Sequence, residues 1–355
     1  MEQEAAPGLG MSLAALGDWF AGALPDLGAP IAVSKFGQGQ SNPTYRVACK
    51  AGRVVLRSKP PGPLLPSAHL VEREYRAMAA LGPTAVPVPR MLALATDAAS
   101  PSGRAFFVME HLDGRILFDP ALPELPEPER GAVYAAMAEA LAALHEVDVA
   151  AVGLSDFGKP GDYFGRQLAR WDRQYRMSVA DPLPDMLALA DWLGAHAPAD
   201  DGQVALVHGD WRLDNLMLAP DAPRIIGVLD WELATLGHPM ADLAYQCMAW
   251  RLPREGGLRG LGDLDRTAHG LPSEAEYVAA YASARGLSGV SDWEAWLVLA
   301  FFRLAAILAG VAARAEAGNA SNPETARVYG RAVPSLAAMA LEITRQGAEP
   351  AEGGR

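Results

Sequence analysis

The sequence predicts an α+β fold, with a small, mainly antiparallel sheet region first and a larger, mainly helical region after it. Three observations predict this. Strand-like runs gather mostly before residue 113, Ala/Leu-rich helical patterns dominate the remainder, and no alternating βαβ pattern appears. The chain has 355 residues, half of them apolar, which is long enough for two lobes with sizeable cores. The expected division falls after Leu112, giving an N-terminal lobe over 1–112 and a C-terminal lobe over 113–355.

Ser12 is suited to cap a first helix in which Leu13, Leu16, Phe20 and Leu24 recur at helical spacing. Ile31 to Phe36 and Tyr45 to Cys49 then read as strands around a Gly/Gln/Ser/Asn turn, and Arg53 to Ser58 returns after Ala51-Gly52. An amphipathic helix follows, with Ser67 as its cap, Leu70, Val71, Tyr75, Met78 and Leu81 on its apolar face and Gly82 as its stop. Two further apolar runs, "VPVPRMLALAT" and "RAFFVMEHL", complete the sheet. Beyond them lie a proline-rich connector, "PALPELPEPER", and the helices "GAVYAAMAEALAALHEVD" and "GDYFGRQLARWDRQYRMS". After Asp242 the pattern is mostly helical.

Acidic residues outnumber basic ones, 42 against 30, which argues against a nucleic-acid or anionic-membrane surface. An anionic ligand has to be met by local cations. The two cysteines are far apart and suggest neither a disulfide framework nor a metal site. The N-terminus lacks the features of a secretory signal, so a cytoplasmic location is expected. The apolar stretch from Ala295 to Arg314 has Arg303 near its centre, so it reads as a buried helix rather than a membrane span.

The densest polar motif is "VHGDWRLDNLML", from Val207 to Leu218. His208-Gly209-Asp210 followed five residues later by Asn215 reproduces the kinase catalytic-loop spacing, with Gly where Arg is usual. In that chemistry the Asp takes the proton of an attacking hydroxyl and the Asn supplies an oxygen to Mg²⁺. Downstream, "RIIGVLDWE" is an apolar strand ending at Asp230, and a hairpin through "APDAP" would return Asp230 beside Asn215 as a second metal ligand. His208 is expected to hold this loop by hydrogen bonds, and His145 to be a helix-terminus histidine. Asp242 can either order the loop or begin a helix.

These residues resemble the aminoglycoside phosphotransferase and choline kinase superfamily, over nearly the whole chain. The resemblance implies a bilobal protein-kinase-like fold with a nucleotide-binding N-lobe and a catalytic, substrate-binding C-lobe. It implies ATP and Mg²⁺, Asp210 as the catalytic base, and Asn215 and Asp230 as metal ligands. The helix Glu that pairs a strand lysine falls on Glu74, and the hinge on Glu110, His111 and Leu112. The lysine position itself falls on Arg57, with Lys59, two residues on, as a substitute. The loop "FGQGQSNPTY" would cover the phosphates, with Gly37 and Gly39 allowing close approach and Ser41 and Asn42 donating to phosphate oxygens.

The phrases "QSNPTY", "RQLARWDRQY" and "VLDWELATLGHPMADLAY" are similar to a narrower subfamily, the phosphotransferase domain fused in some organisms to an acyl-CoA dehydrogenase. That resemblance implies a small-molecule acceptor such as a hydroxyacyl-CoA or hydroxy acid, and a functional link to an acyl-CoA dehydrogenase. Arg166, Arg170 and Arg173 share one helix edge and suit a phosphate-bearing ligand, equally a solvated face paired with acids. Trp171, from the apolar edge, and Glu232 join them as candidate substrate residues. A protein kinase and a nucleotide-binding pseudokinase stay as alternatives. "LDWE" in place of Asp-Phe-Gly and the lack of an Ala-Pro-Glu segment argue against the first, and Arg57 motivates the second. No oligomeric state follows from the sequence.

Overall fold

The computed structural model describes residues 4–37, 42–62, 69–254, 258–316 and 323–346. The chain divides into two compact units. The first comprises Met1–Ile116, Ala150–Leu154 and Asn215–Ala234, and the second Leu117–Val149, Ser155–Asp214 and Thr235–Arg355.

In the first unit, helix α1 (Leu13–Ala23) starts where Ser12 Oγ accepts the Ala15 N–H at 3.2 Å, and it buries Leu16 and Phe20. The sheet that follows runs β1 (Pro30–Lys35), β2 (Thr44–Cys49), β3 (Gly52–Ser58), β4 (Met91–Ala95) and β5 (Phe106–Glu110), in the antiparallel order β1-β2-β3-β5-β4. β2 buries Tyr45, Val47 and Cys49 in alternation, as a strand with one covered face must. β5 is buried on both faces, which is why it reads as one continuous apolar run. One of its faces joins Phe20, Val47 and Leu56 through Phe106 and Val108. The other meets α2 (Val71–Leu81), where the Tyr75 and Phe107 rings lie 6.2 Å apart. α2 begins at Leu70 with no side-chain cap. Ser67, the expected cap, lies outside the described residues. Gly82 is right-handed, with φ −51°, so the helix stops without the left-handed turn glycine permits.

A second sheet in this unit consists of β6 (Arg115–Ile116), β8 (Leu216–Leu218) and β9 (Ile225–Val228), again antiparallel. These pairings are why the units do not follow a single cut after Leu112. β6 draws the distant β8–β9 hairpin into the first unit, Val228 N–H donates to Pro87 O at 2.7 Å, and Arg76 reaches Gly153 O at 2.8 Å.

The second unit is mainly helical and, among its described residues, has one short pair of antiparallel strands, β7 (Ala205–Val207) and β10 (Thr235–Gly237). α3 (Glu127–His145) starts inside the expected connector, because a proline in the first turn gives up an N–H that has no helical partner there. α4 (Tyr163–Ser178) is capped by Asp162, which accepts the Gly165 N–H at 3.1 Å. α5 (Pro184–Ala195) is masked in the sequence by the prolines at its start, yet buries Met186, Leu189 and Leu193 at helical spacing. α6 (Met240–Cys247), α7 (Glu274–Ala284), α8 (Trp293–Glu316) and α9 (Pro323–Gln346) follow. α8 is long and apolar enough to cross a membrane, but 78% of its apolar window is buried within the protein. It packs against α4, α6 and α9.

Gly114, just before β6, runs close against β8: a Cβ there would stand 2.6 Å from the Leu218 carbonyl oxygen, a backbone atom that cannot turn aside. Gly114→Ala is therefore expected to lower stability by about 1–3 kcal/mol. Urea denaturation measures this, and an unchanged midpoint would contradict the close approach of this turn to β8.

Candidate active site

In the first unit the charged cluster centres on Arg57, on the face of β3 that meets α2. Its Nε lies 2.9 Å from Glu74 Oε2, its Nη2 donates to Asp230 Oδ1 at 2.5 Å, and its Nη1 reaches Thr44 Oγ1 at 3.4 Å. A guanidinium can do this because its donors fan out in a plane, whereas an ammonium is a single point. Burial is the largest influence on Arg57 and opposes its charge, but the carboxylates of Glu74, Asp230 and Glu232 outweigh it and raise its pKa. Glu74 is fully buried, and burial pushes its carboxyl up to about 7 despite the opposing pull of Arg57. Lys59 does not substitute for Arg57: it pairs instead with Glu72 at 2.7 Å and Asp97 at 2.9 Å.

Asp230 stands at the end of the β8–β9 hairpin, where Leu229 N–H donates to Asn215 O at 2.9 Å. The hairpin thus brings Asn215 and Asp230 to one end, as its sequence led one to expect. Asp230 has φ +64°, a left-handed conformation that Asp tolerates better than most residues. A carbonyl oxygen and a carboxylate are hard donors that suit Mg²⁺ completed by phosphates and water.

Of the phosphate-loop candidates, Gly39 and Ser41 lie outside the described residues. Gly37 is exposed. Asn42 corrects the expectation that it donates to phosphate. It is buried, its Nδ2 donates to Glu74 Oε1 at 2.7 Å, and its Oδ1 meets His69 Nδ1 at 2.9 Å. At the hinge, the Glu110 side chain accepts the Arg90 N–H at 2.7 Å, His111 is partly buried, and Leu112 packs where Gly227 has no Cβ. Glu232 lies close enough to Arg57 and Glu74 to shift both, so it belongs with this cluster.

In the second unit the loop after β7 carries Asp210. The buried Asp242 carboxylate accepts the His208 N–H at 2.6 Å and the Gly209 N–H at 2.8 Å, so Asp242 orders the loop while also standing in the first turn of α6. Gly209 has φ +81°, which explains glycine in place of arginine between His208 and Asp210. His208 Nδ1 accepts the Asp210 N–H at 3.2 Å, so this histidine does brace the loop. His145 is more than a helix-end residue: its Nε2 is 3.3 Å from Asp242 Oδ2 and its Nδ1 2.7 Å from the Tyr281 hydroxyl. Burial lowers the His145 pKa. It opposes the Asp242 charge as well, but His145 and the loop amides outweigh it and hold that carboxyl below its ordinary value. Around Asp210, Tyr245 donates a hydrogen bond to the carboxylate, and Arg212 stands 3.8 Å from Asp210 and 2.5 Å from Asp214.

The basic edge of α4 survives only in part. The Arg166 guanidinium donates to Lys159 O at 2.6 Å and Pro160 O at 3.3 Å, which engages it in the preceding loop. Arg170 and Arg173 are exposed. Trp171 is a core residue, its indole N–H donating to Gln167 Oε1 at 2.9 Å. Sequence reasoning passed over Tyr245 and Arg212, whose role appears only with their neighbours. It used Arg303 solely to reject a membrane span, although a lone charge in an apolar helix is itself a signal.

The antiparallel sheet of the first unit and the helices of the second define a protein-kinase-like α+β fold. A profile of the phosphotransferase enzyme family (APH) matches residues 32–302, and the chain belongs to that family, whose members transfer phosphate to hydroxyl groups of small molecules. It is 44% identical over 320 residues to mouse acyl-CoA dehydrogenase family member 10, covering 90% of this chain but only 30% of that protein's length. A crystal structure from Ralstonia eutropha, provisionally described as an aminoglycoside phosphotransferase, is 42% identical with a TM-score of 0.85, covering 94% of this chain and 98% of the other. A thermostable aminoglycoside phosphotransferase APH(4)-Ia, solved with AMP-PNP and hygromycin B, shares the fold at 16% identity and a TM-score of 0.61, covering 95% and 99%.

Two outcomes follow from these clusters. Asp242→Asn replaces an acceptor by an amide donor opposite two backbone N–H groups, and should lower stability by roughly 1–3 kcal/mol. Thermal unfolding tests this, and a midpoint equal to wild type would mean that the loop is held otherwise. Glu74 gives a pH signature. Because its folded pKa of about 7 lies above the ordinary value of 4.5, the native state binds the extra proton between them and loses stability as pH rises through that window. Relative to Glu74→Gln, wild type should lose stability between pH 5 and 8, by at most ~1.4 kcal/mol per pH unit. Parallel pH–stability curves would show that burial does not perturb Glu74.

Proposed function

We propose that the protein is an ATP- and Mg²⁺-dependent phosphotransferase that moves the γ-phosphoryl group to a hydroxyl of a small metabolite, a hydroxyacyl-CoA or a hydroxy acid. The observation that carries this reading is the Arg57 fork between Glu74 and Asp230, which sets a cation for phosphate oxygens against a carboxylate suited to Mg²⁺. It also counts against the pseudokinase alternative, since arginine in place of lysine keeps the pairing with the helix glutamate. The fold neighbour solved with AMP-PNP supports ATP as donor.

In this mechanism the acceptor hydroxyl oxygen attacks the γ-phosphorus, the bond to the bridging oxygen breaks, and ADP leaves with that electron pair. The hydroxyl proton passes to the Asp210 carboxylate, whose direction is set by the loop amides on Asp242 and by the Tyr245 hydroxyl. Arg57, oriented by Glu74, grips the α- and β-phosphates, and the hinge from Glu110 to Leu112 receives the adenine. Asn215 and Asp230 would hold Mg²⁺, which neutralises phosphate charge when bound.

The acyl-CoA preference rests on relatives named for acyl-CoA dehydrogenases and on the exposed Arg170 and Arg173, which suit coenzyme A phosphates. ATP-dependent transfer followed by mass spectrometry, against hydroxyacyl-CoAs, hydroxy acids, choline, sugars and aminoglycosides, tests the whole reading. A phosphoryl gain confined to aminoglycosides would overturn the acceptor class. Asp210→Ala should lower kcat by ~100- to 10,000-fold while nucleotide affinity stays within a fewfold. A kcat that survives would remove Asp210 as the base.

A further inference from the structure

Between Ala295 and Ala313, Arg303 is the single charged residue of α8. Its guanidinium carbon lies 4.9 Å from the centroid of the Tyr245 ring on α6 and 5.6 Å from that of Trp171 on α4. Its Nη2 donates to Gly209 O. None of these partners carries a formal charge, and the buried Nε–H has no hydrogen-bond partner among the described residues. Packing alone does not account for such a residue, since an aliphatic side chain of similar length would leave no donor unsatisfied.

What Arg303 does hold is the peptide next to Asp210. The Gly209 carbonyl and the Asp210 N–H are the two ends of one planar peptide group. Arg303 takes its oxygen, and His208 Nδ1 accepts its N–H at 3.2 Å. Gly209 stands at φ +81° and has no Cβ, so on its side little resists the peptide turning over. A charged donor on the oxygen is the stronger restraint. The other approach to Asp210 is through its side chain, where the Tyr245 hydroxyl donates to the carboxylate. The ring of that same tyrosine is one the guanidinium lies against. Trp171, whose indole N–H donates to Gln167 Oε1 at 2.9 Å, adds a second fixed ring beside the cation.

We propose that Arg303 is a positioning residue for phosphoryl transfer: from α8 it fixes the Gly209–Asp210 peptide and the Tyr245 ring, and so aims the Asp210 carboxylate. It touches neither the substrate nor the reacting atoms. The assignment rests on Asp210 being the base of the proposed transfer, and it adds a residue more than ninety positions away in sequence from the loop it serves. A carboxylate that visits several directions lowers the fraction of bound complexes able to react. Loss of Arg303 therefore reduces kcat and leaves the binding of ATP and acceptor in place.

The test uses the full chain as wild type, as Arg303→Met, which keeps the length and removes charge and donors, and as Arg303→Lys, which restores the charge and a donor. Amide hydrogen exchange read by mass spectrometry follows the loop in the free protein. ATP-dependent transfer to 3-hydroxybutanoyl-CoA, or to the acceptor that the panel above returns, gives kcat and KM. Thermal unfolding verifies each fold, and Arg303→Gln takes the place of a methionine variant that does not fold. In Arg303→Met the amides of residues 208–212 are expected to exchange roughly tenfold faster while those of the β8–β9 hairpin do not change. There kcat should fall ~10- to 100-fold with both KM values within about threefold, and Arg303→Lys should recover part of each loss. Unchanged exchange would overturn the assignment whatever the activity. Faster exchange with kcat intact would reduce Arg303 to a structural support, and a raised acceptor KM with kcat intact would make it a substrate contact; either result overturns it too. A wild type that phosphorylates no acceptor would end the proposed function, and the exchange comparison would still decide whether Arg303 holds the loop.

Discussion

A carboxylate with no exposed surface has to be surrounded by donors, and the conformation of the loop that carries Asp210 depends on how Asp242 meets that requirement. Its donors are the backbone N–H groups of His208 and Gly209 together with the buried His145. An ionised group buried without such partners would be driven to take up a proton. Here the partners prevail and the charge is retained. The left-handed Gly209 lets two successive amides converge on one carboxylate, and Arg303 takes the Gly209 carbonyl. The peptide before Asp210 is thus fixed through both its neighbours, which leaves the Asp210 side chain little choice of direction. Behind Asp242, His145 leads to Tyr281, and Arg285 reaches the Tyr281 hydroxyl at 3.1 Å and Glu146 at 2.7 Å. A polar chain therefore runs from the surface to the loop, and such chains stiffen a core when every member is satisfied.

The first unit solves a related problem differently. Arg57 faces two carboxylates, so the cluster has more potential negative than positive charge, and burial shifts the imbalance onto Glu74. A lysine would hold one carboxylate well and the other poorly. The planar fork holds both and reaches Thr44 as well. The substitution that first raises doubt about nucleotide chemistry is, in its setting, compatible with it.

Arg57 in the first unit and Arg212 and Arg303 in the second stand beside these groups in a chain of net charge −12. An overall acidic field repels anions at long range, so phosphate or carboxylate recognition has to come from cations at contact distance, in surroundings where their field is less screened.

The sequence by itself determined the fold class, most strands and helices, and the spacing of Asp210, Asn215 and Asp230, because strand alternation, helical periodicity and turn chemistry are local. The β8–β9 hairpin was legible for the same reason, being short and closed by its own turn. Partnership was not legible. That Lys59 pairs away from Arg57, that Asn42 supports Glu74, that Arg166 folds back on its own loop and that Trp171 is core are all matters of which atoms meet. Only the tertiary structure decided them, since a polar side chain takes whichever donor or acceptor lies within about 3 Å, and packing sets that distance. The grouping of 215–234 with the N-terminal sheet has the same origin, in strand pairing between segments about a hundred residues apart.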